Sequence, residues 1–267
     1  MIPVTEVDGL TISYDDRGSG EPALLCMTGW CSSKARFDHL VPLLAEKRRT
    51  LAFDWRGHGD SQRDVGEFGQ EEMVADALGV IEASGVEQVV PVAASHSGWV
   101  AIELRRRLGP ERVPKIVHMD WMVIEPPERY LAGLHALQTP EGWQESREML
   151  FTIWRAGVEA PEIEAVIDVM REQDGEMWMR SAREITAAYE RGGSPLQTYE
   201  RMESPPGGVL HLYGQPQDPA FYEAQEEFAA RHPWFRVERV PAQTHFSMVE
   251  TAKEASAAIE TFVAEAE

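Results

Sequence analysis

Short apolar runs alternate with turn chemistry through the first third of the chain. Residues 10–14, 23–27 and 49–53 each end near Gly, Asp or Trp, as strands do. Helical periodicity follows the second and third runs. Within 61–84, the segment 71–83 places Met73, Val74, Ala77, Leu78 and Ile81 on one helix face, and Gly85 supplies a stop. Residues 89–94 are almost wholly apolar, with Pro91 as the one residue arguing against a strand, and a helix over 99–108 continues directly from them. A strand that apolar is buried on both faces, a property of parallel sheets. Residues 116–119 predict the next strand, so the pattern predicts a mostly parallel central sheet with helices on both faces.

From 126 to about 202 the texture changes to charged or Trp-bearing helical segments with no strand among them. The stretch ends at Gly192-Gly193-Ser194-Pro195 and Pro205-Pro206-Gly207-Gly208. This predicts a helical cap (126–202) inserted after the sixth strand of a core built from 1–125 and 203–267. A strand at 209–213, a helix at 219–231, a strand at 235–240 and a helix at 252–264 complete that core. No internal repeat or low-complexity tract interrupts it.

At 267 residues, such a chain removes roughly three quarters of its unfolded surface from water, enough for a core with an internal cavity and no covalent staples. Twenty-five Lys plus Arg against forty-five Asp plus Glu leave a net charge of −20, which repels phosphate backbones and anionic headgroups. Nucleic-acid and membrane-surface partners are therefore excluded as expectations. Cys26 and Cys31 form neither a disulfide framework nor a zinc spacing. The apolar runs fall short of the roughly 18 residues of a spanning helix, and the opening MIPVTEVDG lacks the regions of a signal peptide, so a cytoplasmic protein is expected. Oligomeric state is not legible.

Chemistry concentrates at Ala93-Ala94-Ser95-His96-Ser97, between the buried strand and the following helix. It has the small-x-Ser-x-small form of a nucleophile elbow, in which bulky neighbours would clash with the crossing backbone. Taken alone, the same pentad also suits an ordinary serine helix cap. About forty residues earlier, Asp54-Trp55-Arg56-Gly57-His58-Gly59-Asp60-Ser61 resembles the D-x-R-G-x-G-x-S loop of α/β-hydrolase proteins. Thr28-Gly29-Trp30-Cys31 follows the second apolar strand, where that fold places one oxyanion-hole N–H, and the second would come from His96. The order Ser, acid, His places the histidine near the end of the chain, and His245 in Pro241-Ala242-Gln243-Thr244-His245-Phe246 fits.

The other histidines have structural readings: His58 in its turn, His39 and His135 on helix surfaces, His118 and His211 in strands, His232 solvated at a helix end. Two acids compete. Asp120 ends the strand after the elbow helix, and Asp218 lies in the next loop; Asp120 is preferred, because Asp218 precedes a proline where a helix amino terminus attracts any carboxylate. The catalytic set is then Ser95, His245 and Asp120. Each of Trp30, Trp99, Trp154 and Trp178 alone is ordinary core. Together with His96 they suggest a flat aromatic substrate, with Trp30, His96, Trp154 and Trp178 as its binding residues.

At these residues, and over nearly its whole length, the chain resembles the cofactor-independent 3-hydroxy-4(1H)-quinolone 2,4-dioxygenases, which are built on the α/β-hydrolase fold. The carriers include Gly29-Trp30-Cys31, Trp55-Arg56-Gly57-His58-Gly59, Ser95-His96-Ser97-Gly98-Trp99-Val100, Phe151-Thr152-Ile153-Trp154, Gly192-Gly193-Ser194-Pro195, His232-Pro233-Trp234-Phe235 and Thr244-His245-Phe246. The resemblance implies the acid at Asp120, no cofactor and no metal, with O2 as co-substrate. It implies His245 as a general base toward the substrate 3-hydroxyl, with Ser95 as a hydrogen-bonding group. It also implies release of carbon monoxide with an N-acylanthranilate. Two departures, Ala94 and Ser32 where similar members carry histidine, bear on which quinolone is taken, and a longer 2-alkyl chain is favoured over 2-methyl. The alternatives are a serine hydrolase of an aromatic ester or amide, with Ser95 as covalent nucleophile, and a sensor that binds quinolones without turnover.

Overall fold

The computed structural model describes residues 3–265. The first two residues of MIPVTEVDG, and the last two of the chain, lie outside them. Among the described residues eight strands form one sheet: β1 (Val4–Val7), β2 (Leu10–Arg17), β3 (Ala23–Met27), β4 (Thr50–Phe53), β5 (Val89–Ala94), β6 (Lys115–Met119), β7 (Gly208–Tyr213) and β8 (Phe235–Arg239). Their order is β1-β2-β4-β3-β5-β6-β7-β8, antiparallel at β1/β2 and β2/β4 and parallel elsewhere. Every residue of β3 to β7 is buried, which accounts for the unbroken apolar runs. Pro91 pairs with Leu25 but precedes the stretch of β5 that pairs with β6, where a missing N–H is tolerated.

The sheet differs from the sequence expectation at its margins. β1 was not expected: it is four residues long and mostly solvent-facing, so it carries no burial signal. β2 runs on to Arg17 because its charged end pairs with β4, where Asp16 meets Arg49 at 2.7 Å. β8 stops at Arg239.

The helices are α1 (Val41–Ala45), α2 (Gln70–Ser84), α3 (Gly98–Arg112), α4 (Glu128–Leu137), α5 (Trp143–Arg155), α6 (Pro161–Arg171), α7 (Gly175–Gly192), α8 (Pro195–Glu200), α9 (Pro219–Arg231), α10 (Ser247–Glu250) and α11 (Ala252–Ala264). Five of them, α4 to α8, lie between β6 and β7 with no strand among them. The Gly-Gly-Ser-Pro signal is a helix stop and start. Gly193 takes φ +66° after α7, and Ser194 opens α8 with its side chain accepting from Gln197 N–H and with Pro195 at the first helical position. Among the described residues no helix is long and apolar enough to cross a membrane.

Candidate active site

The parallel strands end on one edge of the sheet, and the loops leaving β3, β5, β6, β7 and β8 meet there, where open α/β sheets bind ligands. β5 delivers Ser95 into a left-handed backbone, φ +55°, a strain of about 1–2 kcal/mol for a residue with a Cβ. The surroundings enforce it. Ser97 Oγ donates to the Met27 carbonyl at 2.9 Å, tying the elbow to β3. A Cβ on Gly29 would lie 3.3 Å from Ser95 Cβ, tighter than ordinary contact, so glycine there lets the loop after β3 and the serine approach without a shift. A side chain on Gly98 would overlap the Trp121 ring.

The loop after β3 is held from beneath by the Trp55-Arg56-Gly57-His58 motif. Trp55 Nε1–H donates to the Thr28 carbonyl at 2.8 Å, and Cys31 N–H donates to His58 Nε2 at 3.0 Å. His58 Nδ1–H in turn donates to the Arg56 carbonyl at 2.9 Å, which fixes the neutral tautomer. Burial pushes its pKa down to about 4. Cys31 itself is left-handed, φ +60°.

Asp120 ends β6, also left-handed at φ +47°, and is buried. One carboxylate oxygen accepts Gly214 N–H at 2.8 Å; the other accepts Ser247 N–H at 3.1 Å and Ser247 Oγ–H at 2.5 Å. Burial raises its pKa, and those three donors pull against that. Asp120 therefore grips the segment two residues beyond His245, and no hydrogen bond joins it to the imidazole. His245 is half-buried. Its N–H donates to the Trp154 carbonyl at 2.8 Å, and its ring stacks on the Trp154 indole with centroids 5.0 Å apart. Burial lowers the imidazole pKa well below the usual value, assisted by the Arg36 and His96 side chains, so the ring is neutral at ordinary pH. Neither Ser95 Oγ nor the His245 ring has a hydrogen-bond partner among the described residues.

The model of the alpha/beta hydrolase family matches residues 20–259. The chain is 36% identical over 262 residues to a 2-heptyl-3-hydroxy-4(1H)-quinolone dioxygenase of Mycobacteroides abscessus, covering 96% of each chain. It is 33% identical to a 1H-3-hydroxy-4-oxoquinoline 2,4-dioxygenase of Pseudomonas putida, covering 96% of this chain and 97% of the other. A solved structure of AqdC, described for recognition and ring cleavage of the Pseudomonas quinolone signal, superposes with a TM-score of 0.92 at 34% identity, over 99% of this chain and all of that one. The chain belongs to the quinolone dioxygenases of the α/β-hydrolase family.

The remaining residues singled out in the sequence of this quinolone-dioxygenase homologue fall into three groups. Trp30, Trp154 and Trp178 lie on the loop after β3, α5 and α7. Trp30 stacks on Phe68 at 5.4 Å, and Trp178 is buried edge-on to Phe151 with its indole N–H unpartnered. His96 is engaged through its ring: Trp121 Nε1–H donates to Nδ1 at 3.4 Å, and Nε2–H donates to the Tyr130 hydroxyl at 2.8 Å. Burial takes its pKa down to about 3, so it stays neutral. Asp218 is exposed and caps α9, accepting from Ala220 N–H at 3.0 Å, as its position before Pro219 predicts.

His118, His211 and His232 hold structural contacts outside the site. His211 accepts from Trp121 N–H and faces Gln225, His118 meets the Tyr199 hydroxyl, and His232 pairs with Glu200 at 3.0 Å instead of being merely solvated. His39 sits in an exposed turn ahead of α1, not on a helix. Arg36, Ser247, Tyr130 and Trp121 escaped the sequence reading because each reaches the site by a contact distant in sequence. A cleft of about 1010 Å³ between α2, α3, α7 and α8 and one of about 370 Å³ under α6 flank the site, and neither is lined by Ser95, Asp120 or His245. Among the described residues no group of three or more His, Cys, Asp or Glu is placed to hold a metal ion.

Proposed function

We propose that this protein opens the heteroaromatic ring of 2-alkyl-3-hydroxy-4(1H)-quinolones with O2, without a cofactor, releasing carbon monoxide and an N-acylanthranilate. The observation that carries the reading is the unengaged His245–Ser95 pair in a chain alignable end to end with quinolone dioxygenases. A hydrolase needs its histidine on the serine, to take the serine proton during attack. Here Asp120 accepts from Gly214 and Ser247 and is not bonded to the His245 imidazole, and Ser95 Oγ is not bonded to His245. That arrangement favours a base directed at the substrate.

In this mechanism neutral His245 removes the 3-hydroxyl proton, and Ser95 hydrogen-bonds the substrate without attacking it. The Trp30 and His96 backbone N–H groups receive the 4-oxo group and stabilise the charge delocalised over the ring. The electron-rich anion passes one electron to O2, and the two radicals combine at C2. The resulting peroxide closes on C4, the O–O bond and the two bonds to C3 break, and C3 leaves with its oxygen as carbon monoxide. One O2 atom ends in the amide carbonyl and the other in the carboxylate. The inserted helices α4 to α8 serve as the cap (126–202), with Trp154 and Trp178 against the aromatic substrate. Ala94 and Ser32, both small and buried, favour the longer alkyl chain of a quinolone signal over 2-methyl. Two buried free cysteines suit a cytoplasmic enzyme.

The deciding experiment is turnover of 2-heptyl-3-hydroxy-4(1H)-quinolone by metal-stripped protein, with and without air, while carbon monoxide is trapped on a haem reporter. Oxygen-dependent carbon monoxide is expected. Folded protein that releases none across several alkyl lengths would move the reading to ester hydrolysis by Ser95.

A further inference from the structure

Arg36 lies in a single 3-10 turn, Lys34–Phe37, directly after the loop that carries Trp30. Its side chain is 3% exposed, yet among the described residues no carboxylate lies within ion-pair distance of it. Burying a guanidinium without a directly bonded counter-ion is costly, so its remaining contacts have to compensate. They all lie on the segment that carries the proposed base. Nη2–H donates to the His245 carbonyl at 2.8 Å, Nε–H points at Met248 Sδ at 3.3 Å, and the guanidinium sits 4.9 Å from the centre of the Phe246 ring. Three successive features of 245–248 are thus held from the oxyanion side by one residue.

We propose that Arg36 is a positioning residue for ring opening, locking the His245 loop against the loop that carries the Trp30 N–H so that base and oxyanion donor meet one substrate at a fixed separation. The inference rests on the role proposed above for His245. Asp120 holds the same loop through Ser247, so the base is clamped between a buried anion and a buried cation. Burial pulls the Arg36 pKa to about 10, with Asp120 opposing, so the guanidinium stays charged at neutral pH.

The clamp has an electrostatic consequence. The charged and titratable groups that act on His245 are Arg36 and His96 from the elbow, while Asp120 at the end of β6 acts on Arg36. α5 presents the Trp154 indole, and Glu250, on the histidine's own side, is taken up by the backbone of Gln243 and Thr244. Asp38, His39 and Glu162 line the cleft beside Arg36 under α6. A cation at Arg36 disfavours the imidazolium, so removing it raises the pH at which His245 takes up a proton.

The test uses Arg36→Gln and Arg36→Lys in the full chain. Histidine NMR of the ligand-free protein, with the His245 resonance assigned by its loss in His245→Ala, reads the coupling without any turnover. Arg36→Gln is expected to move the His245 titration and the acid limb of kcat/KM up by about one pH unit. It should lower kcat by about tenfold to a hundredfold with KM little changed. Arg36→Lys keeps the charge but loses the forked grip, so the limb should stay in place while kcat falls. A His245 titration unmoved in Arg36→Gln, or losses of kcat that only follow losses of folded fraction, would overturn the proposal. If Arg36→Gln does not fold, Arg36→Lys with full kcat overturns it alone. Wild-type protein that releases no carbon monoxide would instead sink the dioxygenase reading, and the NMR result would still stand.

Discussion

Trp154 and His245 lie face to face, planes 16° from parallel, and the same tryptophan accepts the histidine's backbone N–H through its carbonyl. An inserted helix thereby fixes the imidazole both by its backbone and by its ring. The contact limits ring rotation where Asp120 makes no bond to the imidazole. Trp154→Ala keeps the carbonyl and removes the ring, discarding an aromatic contact of about 0.5–1.5 kcal/mol. It should lower kcat by roughly tenfold, a loss consistent with misplacing a base, while Trp154→Phe retains most activity. Steady-state kinetics on both variants decides this, and equal loss in the two would show that stacking is not what matters.

Ser95 and His245 separate the dioxygenase from the hydrolase. His245→Ala removes the proposed base and should cut kcat by about 100-fold to 10,000-fold. Ser95→Ala removes the one substrate hydrogen bond proposed for it, about 0.5–1.5 kcal/mol, or roughly tenfold at most. It leaves the left-handed turn otherwise intact. A serine-directed phosphonate should neither label the protein nor inhibit it. Equal damage from the two substitutions, or stoichiometric labelling at Ser95, would make the serine a nucleophile.

What the sequence made legible follows from the range of its signals. The sheet was readable because strands buried on both faces carry continuous apolar runs, and β1 was not because its residues are largely exposed. The elbow and the Asp54–Ser61 loop were readable because steric demands within a few residues select small side chains and glycines. The capping role of Asp218 was readable from local context, since it caps α9 as a residue before a helix-opening proline does. Arg36 reaches His245 across 209 positions and Ser247 reaches Asp120 across 127, and no local pattern marks such pairs. His96 illustrates the limit. Its place beside the elbow serine was legible, but the engagement of its ring by Tyr130 and Trp121 was not.

Tyr130 links α4 to the oxyanion side of the site through that ring. Tyr130→Phe leaves a half-buried imidazole N–H without its acceptor, costing about 1 kcal/mol. Because the His96 backbone N–H is one of the two proposed oxyanion donors, the substitution should lower kcat severalfold beyond its effect on folding. Denaturant unfolding beside steady-state kinetics separates the two contributions. A variant that is destabilised yet fully active at a temperature where it is folded would confine Tyr130 to a structural role.

Buried neutral histidines set the acid limit of stability. Burial lowers the pKa values of His58 and His211 to about 4, from an unfolded value near 6.5. Between those limits the unfolded chain binds protons that the folded protein refuses, so stability is complete above about pH 6.5 and falls as the pH drops toward 4. At pH 5 each contributes a loss of about 2 kcal/mol, and His96, His118 and His245 act in the same direction. His211→Gln removes one titrating group and puts an amide beside the Trp121 N–H. It should lower Tm at pH 7.5 but flatten the decline of Tm with acidification. Thermal melts of both proteins from pH 7.5 to 5 test this, and parallel curves would mean that His211 does not resist protonation in the folded state.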